Sequence, residues 1–160
     1  MCYIYKGMDN NESREAITDK DSRTRLLIGE AGLQRLRGAH ILLLGLGGVG
    51  SYVCEALARA GIGRLSLVDS DKVEVTNLNR QLYALESTLG MYKTDAARAR
   101  CLDIDPHIEI RTLRDFIRAE DMDSLFSWAT EAGPIDHVVD AIDTVSAKIA
   151  LAVYCSGHDI

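Results

Sequence analysis

The run Gly45-Leu46-Gly47-Gly48-Val49-Gly50 limits the fold of this chain more than any other stretch. It matches G-x-G-x-x-G, and its surroundings matter as much as its glycines. The apolar run Ile41-Leu42-Leu43-Leu44 leads into it. A helical pattern follows, then a second apolar run, Leu65-Ser66-Leu67-Val68, which ends on Asp69. Strand, glycine turn, helix, strand and acid in this order form a βαβ nucleotide-binding unit. Gly45 allows the tight turn, Gly47 lets backbone lie against a phosphate, and Gly50 lets the helix pack on the strand. Gly48 stands where the helix opens, among N–H groups that point at an anion. Asp69 follows about 20 residues beyond the last glycine, where a carboxylate accepts hydrogen bonds from ribose hydroxyls. Its alternative role is that of a turn or helix-capping carboxylate.

The segment from Asp69 to Gln81 carries more than a nicotinamide site needs: a second acid, two amides and an arginine. Those groups suit a triphosphate. Arg80 can neutralise phosphate charge and Asn77 can hydrogen-bond to it. A short helix capped by Thr76 or Asn77 and running through Gln81 would hold Asn77 and Arg80 on one face, as a phosphate clamp. Asp71 is a second carboxylate close to the ribose position, its role open. Lys93 opens a helix over 94–104. Both it and Arg80 either face phosphates or are ordinary surface cations. Asp143, at the end of a strand, either coordinates magnesium, a hard ion that takes carboxylate and phosphate oxygens, or caps the helix opening at Val145.

Strand patterns cover 40–44, 64–69, 108–113 and 137–140, and helical patterns 49–60, 94–104, 122–130 and 145–155. This alternation predicts an α/β, Rossmann-like, doubly wound and mostly parallel sheet of order 3-2-1-4. The switch in strand order then falls between strands one and four. That puts Gly45–Gly50 and Asp143 on two sides of one crevice. Met1–Asp21 lacks apolar periodicity and reads as a mobile arm. Two short helices are expected over 22–36, with Leu26, Leu27, Leu33 and Leu36 facing the core. The helix over 49–60 should bury Val49, Val53, Ala56, Leu57 and Ala60, and that over 122–130 should bury Leu125, Trp128 and Ala129. Four strands with an unpaired edge make an unfinished sheet, so 22–160 is expected to be the N-terminal part of a longer domain.

The net charge of −6 over 160 residues argues against a polybasic nucleic-acid binder, though not against a local basic face on an oligomer. No apolar run approaches membrane-spanning length and there is no signal-peptide pattern, so a cytoplasmic protein is expected. Cys2, Cys54, Cys101 and Cys155 form no C-x-x-C pair and read as free thiols, neither a disulfide framework nor a zinc site. The four histidines are scattered and take no catalytic role.

Gly45–Gly50, Gly61-Ile62-Gly63, Asp69-Ser70-Asp71, Thr76–Gln81 and Asp140-Ala141-Ile142-Asp143 together resemble the ATP-dependent adenylating family of ubiquitin-activating enzymes and their bacterial relatives. The resemblance extends over most of the chain from about Arg23. It implies ATP and Mg2+, with a carboxylate attacking the α-phosphorus to give an acyl-adenylate. It points most strongly to members that cyclise a threonylcarbamoyl-modified adenosine in tRNA. The alternative acceptor is the C-terminal glycine of a ubiquitin-like sulfur-carrier protein, with a sulfur-transfer protein as partner. It further implies a homodimer in which an arginine of the first helix, Arg25 or its neighbour Arg23, reaches the other subunit's ATP. A nicotinamide-dependent dehydrogenase and a non-catalytic scaffold are the readings from other classes.

Overall fold

The residues of His40–Leu44 are all buried, and Leu42, Leu43 and Leu44 fully so. A largely apolar strand is enclosed in this way inside a parallel sheet covered on both faces. The computed structural model, which describes residues 19–158 and 160, places this strand in such a sheet. In chain order the elements are α1 (Ser22–Gly38), β1 (His40–Leu44), α2 (Gly48–Ala60), β2 (Arg64–Val68), α3 (Lys93–Ile104), β3 (Glu109–Leu113), α4 (Met122–Thr130), β4 (His137–Asp140) and α5 (Val145–His158). The strands pair in the order β3-β2-β1-β4, all parallel, as the winding rule predicts.

The two-residue period of β1 divides the core. Ile41 and Leu43, with Leu65 and Leu67 of β2, pack against Cys54 and Ala58 of α2 and Ala97 and Cys101 of α3. Leu42, Leu44 and Val68 face the other way, onto Leu125, Phe126 and Ala129 of α4 and Leu151 of α5. Each fully buried leucine contributes roughly 1.5–3 kcal/mol relative to exposure, so this doubly covered strand anchors both layers.

Three details differ from the sequence expectation. Gly29, at φ +69°, breaks α1 into the two expected pieces, but Leu26 and Leu27 are 82% and 86% exposed. The kink turns the first piece outward, while Leu33 enters the core. In α2 the buried face is Gly50, Ser51, Cys54, Glu55 and Ala58, whereas Val49 and Ala56 are exposed. The cause is steric. A Cβ on Gly50 would collide with the Gly45 carbonyl oxygen, so that position must lie against the strand, and the helix repeat then turns Cys54 and Ala58 inward. Lastly, α5 runs on past Cys155 to His158. In α4, Leu125 and Ala129 point inward as expected, and Trp128 is half-buried beneath the Arg111 guanidinium.

Residues 1–18, most of the arm expected over 1–21, lie outside the described residues. Asp21 is buried and pairs with Arg37 at 2.7 Å, while Lys20 reaches Asp105 at 2.7 Å. At the amino edge of the sheet, His40 Nε2 lies 2.8 Å from Ser66 Oγ, and its Nδ1 faces the Pro134 carbonyl at 3.1 Å. This buried histidine is an internal seam far from the glycine turn.

Candidate functional site

At the carboxyl edge of the sheet the loops after all four strands enclose a cleft of about 500 Å³. This is the edge where open α/β sheets bind ligands. The cleft is lined by Gly45, Gly47 and Gly48 after β1, and by Asp69, Asp71, Asn77, Arg80 and Lys93 after β2. Asp115, Phe116 and Ile117 line it after β3, and Ala141–Thr144 after β4.

The glycine turn is built by close approach. Gly45 sits at φ +91°, and a Cβ there would come within 2.5 Å of the Ala141 carbonyl oxygen. Gly50 is held against Gly45 itself. Gly47 differs: a Cβ there meets nothing within 4 Å. No packing contact among the described residues therefore demands glycine at 47. The Gly48 Cβ position lies 3.6 Å from Arg80 Cγ, which places that arginine across the turn.

Asp69 is buried, and both its oxygens are engaged. Oδ2 accepts the Leu46 N–H at 2.7 Å and Oδ1 the Asp71 N–H at 2.8 Å. Burial raises its carboxyl above the ordinary value, against the pull of those two donors. Asp69 thus ties the glycine turn to the end of β2, the turn-carboxylate role read beside the ribose role. Lys93 is buried at the head of α3, where the helix dipole disfavours a cation. It is held there by Asp71 at 2.7 Å, with Asp69 at 3.9 Å. The hydrogen bond from Lys93 in turn lowers the Asp71 carboxyl.

Asn77 is buried, ends a short 3-10 turn, and accepts the Glu74 N–H at 3.0 Å through Oδ1. The short helix expected through Gln81 is this single turn. Arg80 Nη1 donates to the Thr76 carbonyl at 2.8 Å and to Asn79 Oδ1 at 3.1 Å. Among the described residues it pairs with no carboxylate, so its charge is uncompensated beside the glycine turn. Asp143 is exposed and accepts one long hydrogen bond, 3.4 Å, from the Thr144 hydroxyl. Among the described residues it accepts nothing from the N–H groups opening α5, so the capping alternative has no hydrogen bond behind it. Asp140 does the structural work at this strand end, binding the Ile142 N–H at 3.1 Å and Lys148 at 2.9 Å.

Gly45, Gly47, Gly48, Asp69, Asp71, Asn77, Arg80, Lys93 and Asp143 therefore share one cleft, with Gly50 just beneath it. Arg25 does not join them. It pairs with Glu30 at 2.9 Å and Asp19 at 3.1 Å on the surface of its own chain, and Arg23 is exposed. The reading from sequence missed Asp115-Phe116-Ile117. The winding rule puts the end of β3 on this same edge, which was the available signal, but the segment lacks a motif of its own.

An open parallel sheet with a glycine turn, a carboxylate tied to it and facing cations has the architecture of the doubly wound α/β class. The ThiF family pattern matches residues 21–160, and the chain belongs to the ThiF family. It is similar to the tRNA threonylcarbamoyladenosine dehydratase of Bacillus subtilis (strain 168), 45% identical over 139 residues that make up 87% of this chain and 53% of that protein. The enzyme of the same name from Escherichia coli (strain K12) is 40% identical, over 86% of this chain and 49% of its own. The crystal structure of the E. coli tRNA N6-threonylcarbamoyladenosine dehydratase in complex with ATP superposes with a TM-score of 0.83 at 39% identity, covering 88% of this chain and 56% of that one. E. coli MccB is more distant, with a TM-score of 0.75 at 26% identity, over 91% of this chain and 43% of that one. The chain spans about half the length of the curated relatives it matches.

Proposed function

We propose that this chain is the ATP-binding part of a tRNA-modifying adenylating enzyme that converts threonylcarbamoyladenosine to its cyclic form. The observation that carries the reading is Arg80, a cation with no carboxylate partner among the described residues, lying across a glycine turn in the cleft that also holds Lys93, Asp69 and Asp143. The relatives' activity and the ATP complex of the E. coli enzyme support it. In this reading the triphosphate lies along Gly45–Gly50 under Arg80 and Asn77. The ribose meets Asp69 and Asp71, and the base lies toward Phe116 and Ile117. Asp143, exposed and among the described residues bound only by the Thr144 hydroxyl, fits Mg2+, which takes one or two carboxylates and completes its shell with phosphate and water. When bound, that ion would offset charge on the phosphates.

A carboxylate oxygen of the threonylcarbamoyl group attacks the α-phosphorus, and pyrophosphate leaves. An atom of the same side chain then attacks the activated carbonyl, the ring closes and AMP departs. Arg80 and Lys93 face the charge that builds on the leaving pyrophosphate. No enzyme thiol has to attack, and Cys54 and Cys101 are fully buried. The test is pyrophosphate release with ATP and each acceptor. Release with modified tRNA supports the reading. Release with only a sulfur-carrier protein would select the alternative acceptor, and binding of NADH in place of ATP would overturn both.

The proposal includes a homodimer in the cytoplasm. Leu26 and Leu27 support the dimer, being large, apolar and almost fully exposed on the piece of α1 that carries Arg25. Among the described residues no helix is long and apolar enough to cross a membrane. If Arg25 completes the partner's site, mixing Arg25→Ala with Arg80→Ala protein will restore part of the activity, because a mixed dimer keeps one intact site. Absence of recovery despite demonstrated subunit exchange rejects a role across the interface.

A further inference from the structure

Cys54 and Cys101 are 47 residues apart in sequence, yet their sulfurs lie 3.5 Å apart between α2 and α3. Both are free thiols and both are fully buried. Their surroundings are unusual for core cysteines. The Tyr83 hydroxyl is buried and has no hydrogen-bond partner by geometry among the described residues. It belongs to the same core cluster, near enough to influence both sulfurs. On the solvent side the pair is flanked by Glu55, which takes Arg100 across the helix interface at 3.0 Å and Arg59 within α2. The hydrogen bond shared with Cys101, and then burial, raise the Cys54 thiol, and either sulfur can be the donor of that bond.

We propose that Cys54 and Cys101 form a redox-sensitive dithiol whose closure to a disulfide alters the nucleotide cleft. The oxidant class is a peroxide. One of the two sulfurs, having shed its proton, attacks one peroxide oxygen as a thiolate. The O–O bond breaks, that cysteine becomes a sulfenic acid, and the departing hydroxide or alkoxide takes up the shed proton and leaves as water or an alcohol. The other sulfur then attacks the sulfenic sulfur, the S–O bond breaks, and water leaves with the second thiol's proton. The two thiols supply two electrons and become one disulfide. Because both sulfurs are buried, the oxidant enters through local opening of the helix pair, and closure is slow.

The connection to the cleft runs along the helices. α2 begins at Gly48, in the glycine turn, and α3 begins at Lys93. A disulfide needs its sulfurs about 2.05 Å apart, so the two sulfurs must approach by more than an ångström. The pair sits in a close-packed core that passes such a shift along the helix axes. The ends displaced are the N–H groups aimed at phosphate and the Lys93 ammonium. Ser51 ties α2 to the arginine-bearing segment as well, since its Oγ accepts the Leu82 N–H at 3.1 Å.

The experiment treats the whole chain with hydrogen peroxide and reads three quantities: the Cys54–Cys101 linkage by non-reducing peptide mapping, ATP affinity by calorimetry, and amide exchange at Gly48–Ser51 and Lys93–Asp95. The expected result is a linkage reversed by dithiothreitol, ATP affinity lowered about fivefold or more, and faster exchange at both helix starts. Cys101→Ala and Cys54→Ala should bind ATP as the reduced protein does and be indifferent to peroxide, while Cys155→Ala should respond like the parent chain. Failure of the linkage to form overturns the proposal. So does a linkage that leaves both affinity and exchange unchanged. The link to ATP rests on the function proposed above. If the reduced chain binds no ATP, that reading fails, and amide exchange still decides whether closure moves the cleft.

Discussion

Replacing Lys93 with Ala, or Asp143 with Asn, will each lower kcat by roughly a hundredfold or more, the scale on which a single preorganised charge-stabilising group acts. Charge moves onto the pyrophosphate as the acyl-adenylate forms in the proposed reaction. A cation and a magnesium ligand beside it favour the transition state over bound ATP. The environment of Lys93 strengthens the expectation. Its ammonium is buried at a helix N-terminus and depends on Asp71, whose side chain is 63% exposed and free to yield that bond to a phosphate. Helix stability does not explain a lysine there. Among the described residues Asp143 holds no backbone N–H, so Asp143→Asn removes charge and little else. Pyrophosphate release against ATP concentration separates the roles. A depressed kcat with a much smaller fall in ATP affinity is the expected outcome. Loss of ATP binding in proportion to activity would show that both groups serve the ground state and transition state alike, and would remove them from the adenylation step.

Gly50→Ala is expected to lose both stability and nucleotide binding, while Gly47→Ala keeps the fold. At position 50 the new methyl would occupy the Gly45 carbonyl oxygen, so backbone must shift at the turn itself. Overpacking of this kind costs typically about 1–3 kcal/mol, and more where backbone is what gives way. At position 47 the methyl meets nothing within 4 Å, and φ −76° suits alanine. Its cost should therefore be confined to whatever anion occupies the cleft. Denaturant midpoints measure the first effect and ATP calorimetry the second. A Gly47→Ala protein that is stable and binds ATP normally would show that no phosphate approaches the turn there.

The glycine spacing, the two apolar runs and Asp69 together determined the βαβ unit, because each of those requirements is local: a turn needs particular backbone torsions, and a strand buried on both faces needs consecutive apolar residues. The winding rule carried this to the strand order and to Gly45–Gly50 and Asp143 sharing one edge. Side-chain partnerships were not legible, since they depend on residues far apart in the chain. That Asp69 holds the Leu46 N–H, that Lys93 leans on Asp71, and that Arg80 alone among the cleft's cations stands unpaired within the described residues emerged only when the strand ends were assembled. The α2 stripe shifted for the same reason. Periodicity gives a helix a face, but the contact of Gly50 with Gly45 decides its rotation. Leu26 and Leu27 were misread because a pattern of leucines records what a helix can bury, not whether a wall stands opposite. Cys54 and Cys101 met for a reason no spacing could encode: two helices on one face of a sheet are brought into register by the strands beneath them.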